Sequence, residues 1–205
     1  MDTQDTDAIV RLADGETITD RERRQVALLV DAPELSLTWS RFAGGERGTD
    51  LHVHREHTDS FYVLRGVLTV ELGAGAERLA LAAGGFVAIP PSVPHGFLND
   101  GDEDAAWLNL HTPDTGFAAY MRGLRDGTKV PFDSLDWPVD DARPASDAIV
   151  SGPGEGERLE PGLLKCDLPE LAVAEWTGPR RPGARYFPLE DGRLLAIHAP
   201  GGGLR

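Results

Sequence analysis

Two stretches of the sequence carry side chains able to hold a metal ion. The first is Asp50-Leu51-His52-Val53-His54-Arg55-Glu56-His57-Thr58-Asp59. His52 and His54 stand two apart, and on a β-strand that spacing turns both imidazoles to one face. Two ring nitrogens on one face can share an ion. Asp59 opens the next strand and can return a carboxylate to the same point, and Gly66 supplies a turn tolerant of positive φ. The second stretch runs from Gly84 to Asn99. Its strand ends at Ile89, after which Pro90, Pro91 and Pro94 stiffen a loop that delivers His95. A single histidine on a strand is ordinarily a packing residue. Three histidines and a carboxylate at these positions are poorly explained by packing alone.

These residues need a rigid frame, and the surrounding pattern supplies one. Gln25–Val30, Leu35–Phe42, Phe61–Leu64, Val67–Leu72, Phe86–Ile89 and Ala105–Leu110 read as strands separated by glycine-rich turns, the pattern of a sandwich or barrel. Trp107, Asn109 and His111 share one face of their strand. Gly116–Gly123 is a short helix candidate with Thr112-Pro113-Asp114 as its start. Pro131 to Pro144 is a Pro/Asp-rich connector anchored by Phe132 and Trp137. Strands return at Leu171–Trp176, Arg185–Phe187 and Leu194–His198, with Asp191-Gly192 as a hairpin turn. Ala32-Pro33-Glu34-Leu35 is echoed by Leu168-Pro169-Glu170-Leu171, a faint internal repeat. The expected organisation is a barrel over 1–112, a helix and connector over 113–146, and a C-terminal β segment over 147–205. That last segment is expected to pack on the barrel or at a dimer interface.

Composition narrows the function. With 205 residues there is room for one full core and some additional structure. A net charge of −14 disfavours nucleic acid and anionic membrane surfaces as partners. No apolar run approaches the ~20 residues of a membrane span. The stretch Met1–Asp7 is acidic and lacks an apolar segment, so the expectation is a cytoplasmic protein. The single cysteine, Cys166, rules out an internal disulfide and reads as a small buried apolar residue. His57 and His198 read as surface residues, and Trp39, Trp107, Trp137 and Trp176 as packing.

The two histidine-bearing stretches resemble the paired signature motifs of the cupin superfamily. His52, His54, Asp59 and Gly66 occupy the places of the first motif, with Gly45 or Gly48 leading it. Gly84, Pro90, His95 and Asn99 occupy those of the second. The resemblance covers roughly residues 35–112. It implies an all-β, double-stranded β-helix (jelly-roll) barrel with a metal near one mouth, held by His52, His54 and His95. Two positions depart from the pattern: Ser92 stands for a glycine, and Asp59 for a glutamate one methylene longer. Asp59 can ligate after a small backbone shift, act through water, or fall short, with Glu56 and His57 as nearby substitutes.

Three imidazoles and a carboxylate fill four positions of an octahedral ion and leave two for substrate or dioxygen. Fe, Mn and Ni suit that chemistry, whereas Zn would serve as a Lewis acid or structural ion. By resemblance to quercetinase-like dioxygenases, the expected function is oxygenation of a small enol, phenol or keto acid, with Asp59 as general base if it is not a tight ligand. The substrate pocket is expected to draw on Tyr62, Asn99, Asn109 and His111. A metal-dependent isomerase or lyase, and a binding barrel without turnover, are the alternatives. No DNA-binding module accompanies the barrel, and a homodimer is implied by resemblance. Ligating imidazoles are neutral, so protons should compete with the metal below about pH 6.5.

Overall fold

The computed structural model describes residues 9–200 and 204; Met1–Asp7 lie outside the described residues. Among the described residues, seventeen strands form three antiparallel sheets, accompanied by one α-helix. The first sheet holds β1 (Glu16–Arg21), β2 (Arg24–Ala32), β3 (Leu35–Phe42), β5 (Thr58–Arg65), β8 (Phe86–Ile89), β10 (Ala105–Thr112) and β12 (Ile149–Ser151). Its strand order is β1-β2-β3-β10-β5-β8-β12. The second sheet runs β11-β4-β9-β6-β7, built from β4 (Arg47–Val53), β6 (Val67–Leu72), β7 (Glu77–Ala82), β9 (His95–Leu98) and β11 (Leu135–Asp136). These two sheets close over one apolar interior that includes Val26, Leu28, Phe42, Phe61, Val63, Leu68, Val70 and Trp107. The expected jelly-roll barrel is present.

The third sheet, β13-β14-β15-β17-β16, comprises β13 (Glu157–Leu159), β14 (Gly162–Asp167), β15 (Ala172–Trp176), β16 (Arg185–Pro188) and β17 (Leu194–His198). It lies on the outer face of the first sheet, where Leu35, Leu37, Tyr62, Phe86, Leu108 and Leu110 meet Cys166, Leu171, Val173, Phe187, Leu195 and Ile197. β5 and β10 are therefore covered on both faces. Their alternate residues point into the barrel or toward the third sheet, which makes every residue of β10 buried. β12 leaves the C-terminal segment to pair with β8 of the barrel.

The internal repeat marks turn chemistry. Pro33-Glu34 joins β2 to β3 around the pair Ala32↔Leu35. Pro169-Glu170 joins β14 to β15, with Leu168 and Leu171 hydrogen-bonded across the turn. Both copies are two-residue hairpins. The helix α1 (Phe117–Asp126) starts where Asp114 Oδ1 accepts the Gly116 and Phe117 amides, and ends at Gly127 with φ of 67°. It extends past the expected Gly123. Arg122 and Arg125 pair with Glu16 at 2.7 and 2.6 Å, which fastens α1 to β1 beside the barrel mouth. No helix among the described residues is long and apolar enough to cross a membrane.

Candidate metal centre

His52 lies on β4, and His54 follows one residue beyond that strand's end. His95 opens β9 rather than sitting in the proline loop, and it faces His52 across the β4–β9 ladder. Asp59, on β5, comes from the opposite sheet. All four side chains are buried, and their ligand atoms lie within 4.8 Å of one another. His52 Nε2 is 3.2 Å from His54 Nε2, and Asp59 Oδ2 is 3.2 Å from His95 Nε2 and 3.7 Å from His54 Nε2. An ion with bonds of about 2.1 Å places neighbouring ligand atoms about 3.0 Å apart and opposite ones about 4.2 Å apart. The observed spacings fit that range, and the shorter aspartate reaches the cluster.

The second ring nitrogens decide what this cluster is made of. His52 Nδ1 lies 2.9 Å from Asp50 O, His95 Nδ1 lies 2.9 Å from Val93 O, and His54 Nδ1 contacts Asp133 O. A carbonyl can only accept, so each Nδ1 carries the proton and donates it. Each Nε2 is then a bare lone pair. Three lone pairs and a carboxylate converge with no proton among them, an arrangement that a cation satisfies and packing does not.

Behind the cluster lies a chain of groups in which Asn109 and His111 were expected at the pocket, while Asp133 and the inward position of His57 were not. His57 is buried, contrary to its reading as a surface residue. Its Nδ1 is 3.0 Å from Asp133 Oδ2, and its Nε2 is 2.9 Å from His111 Nδ1. His111 Nε2 lies 3.0 Å from Asn109 Oδ1, and Asn109 Nδ2 donates to Asp59 Oδ1. Asp133 also accepts the Arg55 and Glu56 amides at 2.9 and 2.7 Å, which shapes the turn between His54 and Asp59. Asp133 sits in the connector, and the sequence signal for it was its neighbour Phe132. That ring contacts the rings of His54, His57 and His111.

Burial lowers the pKa of His57 to about 4 and that of His111 well below the usual value. Burial, reinforced by His95 and His54, holds His52 at about 3. Burial alone would raise Asp59, but the facing His111, His54 and His95 outweigh it and keep the carboxylate ionised. With both rings neutral, the Thr115 hydroxyl, 2.8 Å from His57 Nδ1, can donate to that nitrogen while His57 Nε2 donates to His111 Nδ1 and His111 Nε2 donates to Asn109 Oδ1.

These shifts carry a stability consequence. Between the folded value of about 3 for His52, or about 4 for His57, and the ordinary 6.5, the unfolded chain binds more protons than the folded one. Stability therefore falls as pH falls through this window, by up to about 1.4 kcal/mol per pH unit for each such histidine. Chelator-treated protein should show a Tm that drops steadily from pH 7 to pH 4; a flat Tm would contradict the buried neutral histidines. The low His52 value also moves proton competition for the metal to more acid pH than 6.5.

Two expected pocket residues lie elsewhere. Tyr62 points away from the barrel interior because β5 alternates, with Asp59, Phe61 and Val63 inward. Its hydroxyl donates to Glu175 Oε1 of the third sheet at 3.0 Å. Asn99 clamps its own loop, with Nδ2 donating to Phe42 O and Glu103 O. Asn109 and His111 do line the cavity, which has a volume of about 430 Å³. His52, His54 and Asp59 stand on its wall, and Phe117, Tyr120, Met121 and Phe132 lie across it.

Residues 38–111 match the family model described as the cupin domain. This part of the chain is a cupin domain. Solved structures similar to it include KdgF from Halomonas sp., 24% identical, covering 52% of this chain and 93% of its own, with a TM-score of 0.45. An RmlC-like cupin from Shewanella frigidimarina is 22% identical over 54% of this chain and 95% of its own, with a TM-score of 0.43. A putative sugar phosphate isomerase from Acidithiobacillus ferrooxidans is 23% identical over 48% and 67%, with a TM-score of 0.41. No curated protein matches the chain in sequence. The cupin match ends at His111, before the connector that supplies Asp133 and Phe132 and before the third sheet.

Proposed function

We propose that the cupin domain binds one divalent transition metal through His52, His54, His95 and Asp59, and acts as a dioxygenase-type enzyme on a small enol, phenol or keto acid. The observation that carries the metal reading is the convergence of three Nε2 lone pairs and an ionised carboxylate, each Nδ1 being spent on a backbone carbonyl. A bound Fe, Mn or Ni ion would supply open coordination positions for substrate and dioxygen. The chain's own residues do the rest. Asp59, tied to Asn109, holds its charge at the centre. His111, neutral and backed by His57, holds Asn109 and through it the orientation of Asp59, the general base if it is not a tight ligand. The aromatic wall of Phe117, Tyr120 and Phe132 excludes water and favours a flat substrate.

The same metal centre supports a second reading, a metal-dependent isomerase or lyase, in which a bound ion would polarise a substrate carbonyl and Asp59 would move the proton. Oxygen uptake separates the two. Protein loaded with Fe(II), Mn(II) or Ni(II) should consume dioxygen when given catechols, enediols or β-keto acids. Turnover of such a substrate with no oxygen consumed would contradict the oxygenase reading and favour the isomerase or lyase.

A further inference from the structure

The barrel interior carries a polar stripe that the metal cluster does not use. β3 and β10 pair so that Ser36 faces His111, Thr38 faces Asn109 and Ser40 faces Trp107. Their chain neighbours Leu37, Leu108 and Leu110 pack on the third sheet, so the stripe lies on the inner face. Thr38, Ser40 and Trp107 line the same cavity as the metal cluster. The Trp107 indole N–H is buried and has no hydrogen-bond partner within the protein, and neither has the Ser36 hydroxyl. Burying a polar group without a partner costs about 1–3 kcal/mol. The stripe therefore runs from Ser36 at the His111 end, beside Asp59, to Ser40 and Trp107 at the far end.

The charge around that far end is also informative. Arg24 is the one cationic side chain among the residues lining the cavity. It lies over the Phe42 ring at 4.2 Å and donates to Arg47 O at 2.5 Å and to Glu46 at 3.3 Å, so it is committed to the barrel rim. The far end offers the Thr38 and Ser40 hydroxyls, and no free positive charge.

We propose that the Thr38 and Ser40 hydroxyls, beside the Trp107 ring, bind the far end of the substrate. That substrate is a flat molecule bearing an uncharged hydroxyl or carbonyl at least one two-residue strand repeat, about 7 Å, beyond its metal-facing oxygens. A cavity of this volume admits a two-ring compound. This inference rests on the metal-centre reading and adds a specificity wall to it.

The test uses two ligands that differ only at the far end, 2,3-dihydroxynaphthalene and 2,3,6-trihydroxynaphthalene, titrated into Ni(II)-loaded full-length protein. The wild type should bind the triol about three- to tenfold more tightly than the diol, the value of one neutral hydrogen bond. In the Thr38→Val/Ser40→Ala double variant, the diol affinity and the bound nickel should stay unchanged while the triol advantage disappears. A triol that binds wild type no better, or an advantage that survives in the double variant, overturns the proposal. Protein that takes up no nickel contradicts the metal-centre reading instead, and elemental analysis of the same samples separates the two failures.

Discussion

Replacing His54 with alanine should lower metal affinity by more than about 100-fold, since loss of a mere outer hydrogen-bond partner already costs 10–100-fold. His54 is at the middle of the cluster, with its Nε2 near both His52 and Asp59, and its Nδ1 ties β4 to the connector at Asp133. The variant should retain the far-ultraviolet signature of a β protein, because the apolar cluster of Phe61, Val63, Leu68 and Val70 that joins the two sheets does not include His54. His198→Ala is the control. That histidine lies on β17 of the third sheet, and its substitution should leave bound metal unchanged. Retention of stoichiometric metal by His54→Ala at low micromolar metal would contradict its role as a ligand.

The second large effect concerns the seam between the barrel and the third sheet. Lys165→Met should destabilise the protein by about 3–5 kcal/mol, or roughly 6–20 °C in Tm. Lys165 is fully buried, and its Nζ donates to Gly84 O, Gly152 O and Glu155 O at 3.0, 3.1 and 2.9 Å. It also pairs at 3.2 Å with Glu175, itself 2% exposed. Glu175 in turn accepts the Tyr62 hydroxyl and contacts Arg193. Removing the ammonium strands three carbonyls and leaves a buried carboxylate with only the half-exposed Arg193 and a phenol. The exposed i,i+4 pair Arg143–Asp147 gives the scale for an ordinary ion pair: Arg143→Met should cost less than about 0.5 kcal/mol. Urea denaturation of both variants measures the contrast. A Lys165→Met loss as small as that of Arg143→Met would show that the network does not hold the two layers together.

The barrel was legible where alternation and turn chemistry agree. Leu35–Phe42, Val67–Leu72, Phe86–Ile89 and Leu194–His198 appear with the bounds read from sequence. β1 and β7 were missed because each is an edge strand with a single fully buried residue, Ile18 or Leu81, so neither shows an apolar period. β9 was hidden by the prolines before it. The metal cluster was legible because few roles other than ligation need three imidazoles and a carboxylate at such spacing. Tyr62 was misplaced although strand parity already argued against it: with Asp59 inward, Phe61 and Val63 must follow it inward and Tyr62 must point out. His57 and Asp133 were beyond reach for another reason. They come together across 76 residues of chain, and a local pattern does not encode that contact.

His52, His54, His95 and Asp59 are proposed together to hold one metal ion. Elemental analysis of protein purified without chelators, before and after dialysis against EDTA and reloading, tests it most directly. The account predicts close to one Fe, Mn, Ni or Zn per chain, lost on chelation and regained on reloading. Protein that carries none and cannot be loaded at pH 7 to 8 would contradict it.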